Sequence, residues 1–177
     1  MPDQPQPRTL AIDVIVTGQQ AADGSFPSLS VLYETIASVP PTAGLVDASG
    51  NFALDNIPAN GPGGRSDPAY TMAVDTTFTL KSTITDRHGQ PVTAVWAYPV
   101  DQYGLFVLNP SGKAPDPLHI KRVRISDSQV FLHNGNFHGN MSKAGRTYQY
   151  GLGIFLPEFN NEFISLDPTV LKSGPPG

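Results

Sequence analysis

Alternation of apolar and polar residues recurs along the chain at short intervals. In residues 10–17, Leu10, Ile12, Val14 and Val16 fall on one side and Ala11, Asp13, Ile15 and Thr17 on the other. This period of two predicts a largely buried strand. The longest such run is 70–86, where Tyr70, Met72, Val74, Thr76, Phe78, Leu80, Ser82 and Ile84 alternate with a threonine-rich set that carries Asp75 and Lys81. One face belongs in a core and the other in water, as in an antiparallel strand. Residues 29–38 read as strand rather than short helix, since Val31, Tyr33 and Thr35 are strand formers and Pro40-Pro41 follows.

Turn chemistry separates these runs. D-A-S-G-N at 47–51 joins 44–46 to 52–54 as a hairpin, and D-R-H-G-Q at 86–90 is a second turn. Residues 92–100 then place Val92, Ala94, Trp96, Tyr98 and Val100 on one face of a strand that pairs with its predecessor, with Trp96 in the core. Residues 103–108 and 119–125 are shorter strands, and 58–68 and 109–117 are loops. In 147–156, Gly151 and Gly153 share the face opposite Tyr150, Leu152 and Ile154, leaving room for close backbone approach or a bulge. The last strands, 163–166 and 169–171, are split by Asp167-Pro168. With roughly eight to ten strands and no helical period, the expected fold is all-β, an antiparallel β-sandwich of jelly-roll or Ig-like topology. A single domain over 10–172 is expected, with a flexible segment at 1–9 and a flexible tail at 173–177.

Composition narrows the function classes. The 177 residues include no cysteine, which removes thiolate catalysis and zinc–thiolate ligation and suits a cytoplasmic setting. A net charge of −4 with only 15% charged residues argues against nucleic-acid binding. No run approaches the roughly 18 apolar residues of a membrane span, so no membrane insertion is expected. So weakly charged a surface also resists self-association poorly, and a homo-oligomer is expected.

The densest recognition chemistry is Q-V-F-L-H-N-G-N-F-H-G-N at 129–140. Asn134-Gly135 favours a two-residue turn, which would oppose His133 to Asn136, Leu132 to Phe137 and Phe131 to His138. Val130, Leu132 and Phe137 would then face the core, and Phe131, His133, Asn136, His138 and Asn140 would share the other face as ligand-binding residues. His133 and His138 would be diagonal neighbours roughly 7 Å apart, able to flank one ligand or share one metal. An ordinary solvated hairpin face is the competing explanation. Imidazole, amides and an aromatic ring together suit carbohydrate, which offers hydroxyls and an apolar C–H face.

Other candidates are weaker. Arg122 and Arg124 share a strand face beside Lys121 and form a possible anion-binding site, although cations on an edge that block strand addition explain them as well. Asp47, Ser49, Asn51 and Asp55 have the residue types of a calcium loop, but the glycine is misplaced and turn chemistry accounts for them. No cofactor is demanded; a divalent cation such as calcium is the one left open. There is no nucleophile elbow, and Asp13, Glu34, Asp75, Asp101 and Asp127 would serve a hydrolase only if the fold brought two together.

Three stretches carry a family likeness: A-I-D-V-I-V at 11–16, Y-Q-Y-G-L-G-I at 148–154 and I-S-L-D-P-T-V at 164–170. In these the chain resembles the bacterial inclusion-body proteins of the AidA/PixA family. The resemblance implies a β-sandwich, cytoplasmic accumulation as inclusions and lectin-like sugar binding. The functional expectation is therefore a non-enzymatic carbohydrate-binding protein. A self-assembling storage protein without a small ligand is the alternative, and a hydrolase with dispersed carboxylates ranks third.

Overall fold

A computed structural model describes residues 6–26, 29–53, 70–108, 120–134 and 146–173. Among these residues the protein is mostly β, with two sheets and almost no helix. The strands are β1 (Gln6–Gln19), β2 (Ser30–Val39), β3 (Phe52–Ala53), β4 (Tyr70–Thr85), β5 (Pro91–Val92), β6 (Val95–Trp96), β7 (Leu105–Leu108), β8 (Ile120–Arg124), β9 (Gln129–Asn134), β10 (Arg146–Leu156) and β11 (Glu162–Ser173). Sheet one has the order β2-β1-β4-β9-β8, with β5 also on β4; sheet two has the order β3-β11-β10-β6, with β7 also on β10.

The period of two explains the core. Leu10, Ile12, Val14 and Val16 of β1 are buried, as are Val74, Phe78, Leu80 and Ile84 of β4 and Val130 and Leu132 of β9. They meet Tyr150, Leu152, Ile154 and Leu156 of β10 in one cluster shared by both sheets. Trp96 lies in the same cluster, fully buried.

Several expectations are corrected. Sheet one is mixed rather than antiparallel, because β4 begins beside the start of β1 and the two run parallel from Gln6↔Tyr70 to Gln19↔Thr85. The chain has by then left sheet one after β2 and contributed β3 to sheet two, so β4 returns to the free side of β1 in the same direction. Strand β1 starts at Gln6, and Arg8, expected in a flexible segment, is buried. The run 92–100 does not stay in one sheet. Val92 pairs with Ile84 of β4, whereas Trp96 pairs with Ile154 of β10. At the crossing, the Thr93 amide donates to the Glu158 carboxylate at 3.0 Å, replacing a ladder bond. Residues 100–104, expected partly as strand, form a π-helical turn before β7. Asp167-Pro168 does not split the last strand. Leu152 faces Leu166 and Tyr150 faces Thr169, so the pair bulges opposite Gly151, a place where a proline's missing N–H is tolerated. The expected loops at 58–68 and 109–117 lie outside the described residues.

The two D-x-x-G turns are built alike. In each, one aspartate oxygen accepts two backbone amides, from Ser49 and Asn51 onto Asp47 and from His88 and Gln90 onto Asp86. Gly50 and Gly89 take the positive φ the turn requires, at 83° and 79°. Bonds from Asn51 hold the Asp47 carboxyl below its ordinary pKa, and the Gln90 amide does the same for Asp86. The Asp47 oxygens that resembled calcium ligands are thus bonded within the turn.

Thr76 departs from the apolar pattern of β4's inner face. It is 1% exposed between Leu10 and Leu132, and its hydroxyl has no hydrogen-bond partner among the described residues. Burying an unpaired hydroxyl costs stability, so Thr76→Val is expected to stabilise the protein by about 1 kcal/mol. In a thermal melt that is a rise of about 2–4 °C; a lower midpoint would show that the hydroxyl has a partner.

Candidate functional site

On the outer face of sheet one, neighbouring strands line up their polar residues. Thr9 of β1 lies beside Asp75 of β4, Asp75 beside His133 of β9, and His133 beside Lys121 of β8. The next row runs Ala11, Thr77, Phe131, Val123. His133 Nδ1 and Asp75 Oδ1 are 2.5 Å apart, with side chains 32% and 19% exposed. Since a carboxylate oxygen accepts, Nδ1 donates, and Nε2 is the ring nitrogen left for a ligand. Gln129 Nε2 donates to Thr79 Oγ1 at 3.3 Å in the following row. Half-buried Phe131 supplies an apolar surface beside the Asp75–His133 pair.

The expected hairpin pairing fails. Strand β9 is flanked on both sides, Phe131 by Thr77 and Val123 and His133 by Asp75 and Lys121. A strand has two hydrogen-bonding edges, so none remains to oppose His133 to Asn136 or Phe131 to His138. Phe131 and His133 do share the outer face, as alternation required. Asn136, His138 and Asn140 lie outside the described residues.

Arg122 and Arg124 also share a face, but their guanidinium groups already bond within the protein. Arg122 is half-buried and donates through Nη1 to the carbonyls of Asp101 and Leu105, at 3.2 and 3.4 Å. Burial pushes its pKa down and the Asp101 carboxylate opposes the shift. A cleft of about 330 Å³ beside it is lined by Asp101, Ile120, Lys121, Arg122 and Val123. Arg124 pairs with Asp127 at 2.5 Å and sits 5.2 Å from the centre of the Tyr98 ring. Of the dispersed carboxylates, the fold places Asp13 opposite Glu34, and Asp13 also forms an ion pair with Lys81 at 3.2 Å. Asp75 and Asp127 are bonded elsewhere, to His133 and Arg124. Among the described residues no three His, Cys, Asp or Glu side chains are grouped to hold a metal.

Sequence reasoning missed the pairing of Asp75 with His133. Alternation along 70–86 placed Asp75 on the solvated face, but no local signal tells which strand lies beside β4. It also missed an aromatic row on the outer face of sheet two, Tyr98–Phe155–Phe163–Tyr103, whose successive rings meet edge-on at 5.1, 6.0 and 5.9 Å. Gly151 and Gly153 lie beneath Phe106 and Phe163, in the close approach that their shared face had suggested.

The structure thus defines a mostly-β, two-sheet protein with a polar row and an adjacent aromatic ring on one outer face. Comparison with protein-family models, curated proteins and solved structures gives no match.

Proposed function

We propose that the protein is a non-enzymatic, lectin-like carbohydrate-binding protein on a β-sandwich scaffold, with its site on the outer face of sheet one. The observation that carries this reading is the Asp75–His133 pair beside Phe131. An imidazole oriented by a carboxylate presents one fixed ring nitrogen to a sugar hydroxyl, while a half-buried aromatic ring offers its face to the sugar's C–H groups. Thr77, Gln129 and Lys121 add hydroxyl, amide and ammonium groups on the same face. An AidA/PixA-type affiliation belongs to the same proposal.

A glycan array tests it, with wild type compared against His133→Ala and Asp75→Asn. Wild type is expected to retain a defined subset of glycans and His133→Ala to lose about tenfold in affinity, the effect of one lost hydrogen bond. Asp75→Asn is expected to weaken binding less, because the amide oxygen still accepts from Nδ1. Binding unchanged in His133→Ala would remove the site, and an empty array would remove the function.

A further inference from the structure

The two outer edges of sheet one differ. At one, β8 stands against the π-helical turn and the start of β7, to each of which Arg122 donates one hydrogen bond. At the other, β2 pairs among the described residues only with β1. That edge is 10 residues long, and no described strand pairs with the backbone groups pointing away from β1. Three large apolar side chains meet water along it, Leu32, Ile36 and Val39, exposed by 41, 58 and 45%, beside the exposed polar residues Ser30, Glu34 and Thr35. Glu34 is the one charge along it. The strand is regular up to Ile36, the extra residue of a bulge between Thr35↔Ile12 and Ala37↔Ala11.

We propose that β2 is a homodimer seam, its regular half pairing antiparallel with the same strand of a second copy, so that sheet one continues across a two-fold axis. A row of open amides and carbonyls is best satisfied by another strand, and β2 suits itself. With the axis at Leu32, each Leu32 meets its counterpart and each Glu34 meets a Ser30, so the carboxylates do not oppose one another. The bulge at Ile36 bends the strand beyond and limits the seam to its first half. A β2-to-β8 contact, which would grow into open chains, is hindered by the π-helical turn. The two-fold contact closes at two copies.

Light scattering after size exclusion, over rising protein concentration, tests the seam. The mass is expected to climb from 18.9 kDa toward twice that value. Leu32→Lys, which sets two ammonium groups face to face, is expected to raise the dimer dissociation constant by about tenfold or more. Ser30→Glu, an exposed position that would set a carboxylate opposite each Glu34, serves if Leu32→Lys lowers the melting temperature, and it too is expected to weaken the dimer. Ile125→Lys, beyond β8, is expected to leave the dimer intact. A wild type that stays at the monomer mass overturns the proposal. So does a dimer unaffected by either β2 variant, or one lost in Ile125→Lys.

Discussion

Gly153→Ala is expected to destabilise the protein by about 3 kcal/mol, near the upper end for overpacking. A methyl group there would overlap the Tyr103 carbonyl oxygen and stand 2.5 Å from the Phe163 ring. The ring is a side chain 46% exposed, whereas the oxygen is backbone in the π-helical turn. That turn is held by Gln102 and Tyr103 amides donating to Pro99 O at 3.1 and 3.0 Å, and by the Leu105 amide donating to Val100 O. It must therefore lift as a unit, straining the bonds from Arg122 to Asp101 O and Leu105 O. Thermal melting should show a fall of about 6–12 °C for a chain of this size. Gly151→Ala should cost less, because the obstacle is the Phe106 side chain. Equal losses in the two variants would show that the turn does not rest on Gly153.

Phe52→Ala is expected to cost about 4 kcal/mol, in the range for emptying a buried aromatic site. Phe52 is 2% exposed and joins parts of the chain that are otherwise far apart. Its ring lies 5.6 Å from Phe78 of sheet one, 5.3 Å from Tyr150 of sheet two and 6.5 Å from Tyr33 of β2. It also anchors β3, a strand of only two residues. Tyr150→Phe probes the same centre with a smaller change, losing the hydrogen bond to Gly50 O for about 1 kcal/mol. Urea unfolding of both variants separates the contributions. A Phe52→Ala loss no larger than that of Tyr150→Phe would mean that neighbouring side chains refill the site.

What was legible beforehand was local. Side chains alternate along a strand whatever its partner, so the inward faces of β1, β4 and β9 followed from the residues alone. The D-x-x-G turns were equally readable, since an aspartate caps amides only two and four residues away. The π-helical turn, the crossing at Thr93 and the bulge at Asp167-Pro168 were not, because each is stabilised by groups distant in sequence. The candidate site divides in the same way. Alternation put Phe131 and His133 on one face and Asp75 on a solvated face, but the hairpin signal at Asn134-Gly135 suggested the wrong partner for β9.

Read alone, the residues determined that the chain is β-rich, which side chains of β1, β4 and β9 enter the core, and where the two D-x-x-G turns fall, because these depend on neighbours a few positions apart. Tertiary structure decided that β4 runs parallel to β1, that β9 lies between β4 and β8, and that Asp75 meets His133. Strand pairing joins backbone groups common to every residue, so the choice of partner is made by how two whole sheets share one apolar core.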